Sequence, residues 1–181
     1  MFLEELGTRY AVTEGQTSRT RDFNAQYVLV RPKGISRAPV PEEVPTDIAQ
    51  DYSEACLVLA DSPKASAALS RRCLQNLLRS VASVKPGNLS NEIQQVIDSG
   101  KLPSGISDNI DAVRNIGNFA AHPIKSESTG QLVSVEPHEA EWNLEVLESL
   151  FDHYYVQPAR AKKQRDALNK KLQDAKKPPM K

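Results

Sequence analysis

From Thr46 onward, apolar residues recur at helical spacing in segments that proline and glycine separate. Several of these segments also begin with good helix-start residues, as at Ser62–Pro63, where a serine cap precedes a proline in the first helical position. The predicted helices run from Thr46 until Asp61, from Pro63 up to Lys85, from Leu89 to Ser99, from near Ser107 to before Pro123, and from Pro137 through Tyr154. This pattern predicts a mainly α-helical bundle.

Two short segments outside these helices have strand-like patterns. Residues 26–30 form a β-rich run, and residues 127–136 alternate weakly, which predicts a small hairpin or an extended loop before the last core helix. Pro39, Pro41 and Pro45 indicate a stiff, extended connection. We therefore expect three regions: a short β-containing N-terminal appendage with a Pro-rich linker over residues 1–40, a helical bundle over 41–157, and a basic helix or tail over 158–181.

The last two predicted helices differ in the width of their apolar stripes. The helix that Pro137 opens has a broad stripe, and Trp142 lies beside it as a core or interface anchor. Past Pro158, Leu168 and Leu172 give only a thin stripe, which is typical of an exposed or partner-dependent helix.

Charge is distributed unevenly along the chain, although 23 basic residues balance 23 acidic ones overall. Residues 158–181 contain nine basic residues and two acidic ones, so the rest of the chain is acidic by the same margin. A basic tail on an acidic body has two interpretations. Either the tail contacts nucleic acid, or it is solvated and leans on the acidic body.

The chain carries no strong signal for a membrane, a metal or another cofactor. Its longest apolar run, Ala55–Ala60, is far shorter than the ~20 residues that cross a bilayer, and Glu4 and Glu5 do not fit a signal peptide. Cys56 and Cys73 lie in predicted helices without metal-ligand spacing, so they are expected to be core thiols. We expect a cytoplasmic protein with no membrane partner, no metal and no cofactor.

The fourth predicted helix carries the strongest candidate for chemistry, since GxGxxG, GxxxxGK[ST], GxSxG and HExxH motifs are all absent. Arg114, Asn118 and His122 recur at i, i+4 and i+8, and therefore form a polar row along one edge. Gly117 in mid-helix costs about 1 kcal/mol relative to alanine. Together with Ala120, it predicts a surface that another helix can approach closely.

The polar row has a functional and a structural interpretation. In the functional one, Arg114 binds a phosphate, His122 transfers protons and Asn118 orients one of them. In the structural one, His122 caps the helix, Asn118 bonds to a neighbouring helix and Arg114 pairs with an acidic side chain. Residue chemistry alone leaves both open.

Three segments together resemble a known family. The run Arg114–His122, preceded by Ser66–Leu74 and by the lead-in Val44–Ala55, resembles the bacterial family catalogued as domain of unknown function 4145. That family is placed with the HEPN-like helical domains, and the resemblance covers roughly residues 41–155. It implies a HEPN-like bundle that forms a homodimer in a bacterial defence or mobile-element system. RNA or a defence-system effector protein is the partner it implies.

Many HEPN-like domains are metal-independent ribonucleases, so the resemblance also implies a mechanism. An RNA 2′-hydroxyl would attack the adjacent phosphate, His122 would assist proton transfer, and Arg114 would offset the charge on the phosphorane, at a dimer seam.

The spacing in this chain departs from the usual nuclease pattern. Seven residues separate Arg114 from His122, and Gly117 occupies the position where an arginine usually precedes the polar residue. Arg71 or Arg72 of the second predicted helix would then have to supply the charge. Our main hypothesis is therefore a helical dimerisation and assembly module associated with RNA. The alternative is a metal-independent endoribonuclease that uses Arg114, Asn118 and His122.

Overall fold

The computed structural model describes residues 9–13, 16–20, 37–122 and 124–180. The chain divides into two compact units, residues 1–34 and 35–181. In the first unit, strands β1 (Arg9–Thr13) and β2 (Gln16–Thr20) pair in antiparallel register. This hairpin was not predicted from the sequence, and the strand that was predicted over residues 26–30 lies outside the described residues.

The second unit is helical, and the prediction of a mainly α-helical fold is confirmed. Its elements are α1 (Thr46–Val58), α2 (Pro63–Val81), α3 (Leu89–Asp98), α4 (Ser104–Ala121), α5 (Pro137–Phe151), a π-helical turn (Asp152–Val156) and α6 (Gln157–Asp174).

Local hydrogen bonds explain where these helices begin. The Ser62 hydroxyl accepts from the backbone N–H of Ala65 at 3.2 Å, which confirms the predicted cap of α2. At α5, Glu136 and Glu139 form a capping box. Helix α4 begins at Ser104 rather than near Ser107, because the carbonyl of the residue before it, Pro103, already accepts the backbone N–H of Ser107 at 2.9 Å.

Helix α2 lies at the centre of the bundle and contacts α1, α3, α4 and α5. Its Leu74, Leu77 and Leu78 are fully buried, and each such side chain contributes about 1.5–3 kcal/mol relative to an exposed one. Cys56 and Cys73 are buried free thiols, as predicted. Burial raises the pKa of both, which makes them poor nucleophiles.

The segment before α5 has less regular structure than the helices that flank it. A single antiparallel bridge joins Lys125 to Leu132, and Gly130 adopts a left-handed conformation with φ of 68° in the turn between them. This is the position of the small hairpin or extended loop expected over residues 127–136.

Helices α5 and α6 form one continuous helix, because the π-helical turn joins them without a break. The backbone N–H of Gln157 donates to the carbonyl of Asp152, five residues back. Pro158 follows immediately, and a proline would in any case interrupt regular α-helical bonding at this point. None of the residues of α6, all of which the structure describes, is buried.

Candidate functional site

Gly117 of α4 lies directly against Arg71 of α2. A Cβ atom built on Gly117 would lie 2.8 Å from the Arg71 Cβ and 3.0 Å from its Cδ, which is closer than side-chain carbons normally approach. The close helix contact that Gly117 allows is therefore made within this chain, between α2 and α4.

This contact positions Arg71 to bond to Asn118. The Arg71 Nη1 donates to the Asn118 Oδ1 at 2.7 Å and to the backbone carbonyl oxygen of Arg114 at 3.3 Å. Arg71 thus connects α2 to two turns of α4, and Asn118 serves as an acceptor between helices. This is the contact that the structural interpretation of Asn118 describes.

Arg114 is held by an acidic residue of its own helix. Its Nε donates to Asp111 Oδ1 at 2.6 Å and its Nη2 to Asp111 Oδ2 at 2.7 Å, so the pair is bidentate. Asn115 Nδ2 adds a bond to Asp111 Oδ2 at 3.0 Å. The hydrogen bonds from Arg114 hold the pKa of Asp111 below its ordinary value, despite partial burial. The structural interpretation of the sequence included an acidic partner for Arg114 but did not identify Asp111, although the i, i+3 spacing of the two residues was a signal for it.

Two guanidinium groups lie near each other at this site. Partial burial lowers the pKa of Arg71, and the positive charge of Arg114 lowers it further. Among the described residues, no carboxylate forms an ion pair with Arg71, whereas Asp111 neutralises Arg114. The edge therefore carries one uncompensated positive charge, which is the requirement for binding an anion.

His122 lies one residue beyond the last residue of α4. Its backbone is extended, with φ of −125° and ψ of 136°, and its N–H donates to the carbonyl of Asn118 at 2.9 Å. The side chain is exposed, and it makes no hydrogen bond or ion pair with any residue in the described part of the chain. The structure thus brings Arg71, Arg114 and Asn118 together, while His122 lies at the C-terminal end of the same helix with an exposed imidazole.

Arg72 lies outside this group, although it follows Arg71 in the sequence. Its Nη2 donates to Asp51 of α1 and to Glu54 at 3.3 Å, and Asn76 Nδ2 donates to the same Asp51 at 2.8 Å. The hydrogen bond to Asp51 raises the pKa of Arg72. Arg72 therefore joins α2 to α1 and supplies no charge to the α4 edge.

A cavity of about 280 Å³ lies between α1, the end of α5 and the segment Ala38–Pro41. Glu148, Asp152 and Tyr52 are among its lining residues, and the Glu148 Oε1 accepts from Arg37 Nη1 at 2.7 Å and from the Tyr52 hydroxyl. Burial and the bond to Glu148 raise the pKa of Tyr52. This cluster was not predicted from the sequence, because its three residues are far apart in the chain, in different segments.

Neither a membrane-spanning helix nor a metal site occurs in the part of the chain that the structure describes. No helix there is sufficiently long and apolar to pass through a bilayer. No group of three or more His, Cys, Asp and Glu side chains in residues 37–122 and 124–180 is arranged to hold a metal ion.

The fold and the site together define a helical bundle in which Arg71 of α2 leaves one uncompensated positive charge beside α4. The model of the family described as "Domain of unknown function (DUF4145)" matches residues 53–173, and the chain belongs to that family. The matched residues include α2, α4 and almost all of α6. No curated protein and no solved structure gave a match to the chain.

Proposed function

We propose that this chain is a helical assembly module with a HEPN-like bundle, which self-associates and binds RNA without cleaving it in a bacterial defence or mobile-element system. The observation that carries the proposal is the bidentate bond between Arg114 and Asp111. A catalytic arginine must be free to meet the charge that develops on a phosphorane. Here Asp111 accepts from Nε and Nη2 of Arg114, and its negative charge would repel a phosphate.

The other two residues of the row support the same function. Asn118 already bonds to Arg71 between the two helices, so it contributes to structure. The His122 side chain is exposed, but its helix ends before it and no described carboxylate or carbonyl orients its ring. General acid–base catalysis depends on such orientation. The row is therefore better suited to binding and packing than to proton transfer.

RNA binding at this edge depends on Arg71, the guanidinium without a carboxylate partner. We expect Arg71→Gln to weaken binding of single-stranded RNA by about fivefold to tenfold. The slope of log affinity against log salt concentration should become shallower by about one, which corresponds to the loss of one phosphate contact. Fluorescence anisotropy over a salt series measures both quantities. The matched control is Arg72→Gln, because Arg72 is adjacent on α2 but paired with Asp51. Equal losses in the two variants, or no loss in Arg71→Gln, would contradict RNA binding at this edge.

The alternative function is a metal-independent endoribonuclease that uses Arg114, Asn118 and His122. One observation favours it: the uncompensated charge of Arg71 lies on the same edge as the exposed imidazole of His122. Arg71 would then provide the charge that Arg114, held by Asp111, cannot provide.

Incubation with single-stranded and structured RNA in the presence of a chelator separates these two functions. We expect no cleavage products from the wild-type protein under conditions where it binds RNA. If products appear, are lost in His122→Ala and persist in His138→Ala, the nuclease is correct and the assembly module is wrong. His138 is the matched control, because it is an exposed histidine in the first turn of α5 and not part of the polar row of α4.

A further inference from the structure

The π-helical turn aligns an exposed stripe of α5 with an exposed stripe of α6. A π-turn holds one residue more than an α-turn, so it rotates the helix that follows by about 100°. With this rotation, Trp142 and Ser149 of α5 lie within about 40° of Ala161, Leu168 and Leu172 of α6 around the helix axis. Trp142 and Leu168 are each 43% exposed, although both are large apolar side chains. We name this face the α5–α6 stripe.

The two halves of the stripe carry opposite charge. From Glu136 through Asp152 there are six acidic residues and no lysine or arginine. From Gln157 through Asp174 there are six basic residues and two acidic ones. The acidic and basic side chains also share one flank of the stripe, since Glu141 and Glu145 of α5 lie on the same side as Arg160 and Lys171 of α6.

Helix α6 cannot satisfy this complementarity within its own chain, although Arg37 lies 3.8 Å from Glu145 and 2.7 Å from Glu148. Helix α6 continues the axis of α5 through the π-turn, so it cannot fold back onto the α5 half of its own stripe. A parallel pair of copies would place basic α6 against basic α6. An antiparallel pair places each acidic half against a basic half, and a two-fold axis at the π-turn brings the same flank of each helix into contact.

We propose that the α5–α6 stripe binds a second copy of this chain in antiparallel orientation and forms a two-fold symmetric homodimer. The proposal rests on the assembly function and identifies the surface that performs it. The continuous helix from Pro137 to Asp174 is ~57 Å long at 1.5 Å per residue. Two such helices in contact provide room for a standard interface with a charged rim and with an aromatic anchor, Trp142, in each acidic half.

RNA is the competing occupant of the basic half. Single-stranded RNA binding uses basic side chains interleaved with aromatic ones, and α6 has no aromatic residue. The acidic α5 half would also repel RNA, because the phosphate backbone is negatively charged. A second copy accounts for both halves of the stripe and for the exposed Trp142.

Charge reversal tests the dimer through rescue. We expect Glu141→Lys/Glu145→Lys, and separately Arg160→Glu/Lys171→Glu, to raise the dimer dissociation constant at least tenfold, measured by light scattering and sedimentation. The four substitutions combined in one chain should restore wild-type association, because each half then again meets its opposite. The matched control is Asp98→Lys/Glu127→Lys, which changes the charge equally at exposed positions outside the stripe. Circular dichroism shows that each variant is folded.

A second readout is the fluorescence of Trp142, the one tryptophan of the chain. Its emission should shift to shorter wavelength as the wild-type concentration passes through the dissociation constant, and should stay constant for either reversed variant.

Two outcomes would contradict these proposals. A dimer that both reversals leave intact would show that the α5–α6 stripe is not the dimer interface, while the assembly function stands. A wild-type monomer at all concentrations would overturn both. A third outcome would assign α6 to RNA instead. In it, Arg160→Glu/Lys171→Glu loses RNA binding but associates as the wild type does, and the combined variant does not regain RNA binding.

Discussion

Substitution of Gly117 by alanine should lower the free energy of unfolding by about 2 kcal/mol, even though alanine favours helices by about 1 kcal/mol over glycine. The new methyl group would lie 2.8 Å from the Arg71 Cβ. A Cβ atom is fixed to its backbone, so it cannot rotate away as the end of a long side chain can. The two helices must move apart, and the bond between Arg71 and Asn118 must lengthen. Urea denaturation followed by circular dichroism measures the loss.

Gly105 provides the control, because it lies on the same helix and a Cβ there meets no described atom within 4 Å. Gly105→Ala should therefore leave stability unchanged or raise it by up to about 1 kcal/mol. The double variant Gly117→Ala/Arg71→Ala should stay destabilised, since alanine at position 71 retains the Cβ that collides. A Gly117→Ala protein as stable as Gly105→Ala would show that α2 and α4 are not in close contact at this point.

The sequence was informative where structure depends on neighbours in the chain. Ser62 followed by Pro63 predicted the start of α2, and Gly100 after the third apolar run predicted the end of α3. These signals are local hydrogen bonds and fixed backbone angles, so the residue types contain them directly.

The sequence was less informative where structure depends on contacts between helices. The polar row was visible from spacing, but its partners were not. Periodicity shows which face of a helix is polar, and it does not show that Arg71 meets Asn118 or that Arg37 and Tyr52 meet at Glu148. Such pairs depend on the rotation and sliding of whole helices.

The π-turn could not be predicted for a related reason. Pro158 correctly marks an irregularity, and from the sequence it predicts a boundary between the core helix and the tail. The helix instead continues through Asp152–Val156 with π-helical hydrogen bonding, in which an N–H donates to the carbonyl five residues back. One additional residue in a turn leaves no compositional signal, yet it determines which residues of α6 share a face with Trp142.

Glu92 of α3 is the most deeply buried carboxylate among the described residues, and it holds the loop between α2 and α3. Arg79 donates to its Oε1 through Nε at 2.9 Å and through Nη2 at 2.8 Å, and the backbone N–H of Gly87 donates to the same oxygen at 2.8 Å. The Glu92 side chain has 0% exposure, whereas that of Arg79 has 41%. The pair thus places a negative charge in the bundle that a partly solvated arginine compensates.

Removal of Arg79 should be the most damaging single change outside the apolar core. We expect Arg79→Met to lower the free energy of unfolding by about 3 kcal/mol, because it leaves the buried Glu92 carboxylate without its cation. Thermal and urea unfolding measure the loss. Lys64→Met is the control, since Lys64 is an exposed cation on the same helix, and it should change stability by less than about 0.5 kcal/mol. Equal effects in the two variants would show that the buried Glu92 carboxylate does not need Arg79 to compensate its charge.

The same carboxylate should make stability depend on pH in a defined window. Burial alone would raise the pKa of Glu92, but the hydrogen bonds from Arg79 and from the N–H of Gly87 outweigh it and hold the pKa below its ordinary value of 4.5. A lowered folded-state pKa stabilises the protein fully above 4.5, and this stabilisation is lost as the pH falls through the folded value. Wild-type stability should therefore fall more steeply between about pH 5 and pH 3 than that of Glu92→Gln, which cannot ionise. The exposed Glu127→Gln should keep the wild-type slope, and a wild-type slope in Glu92→Gln would mean that folding does not shift the pKa of the Glu92 carboxyl group.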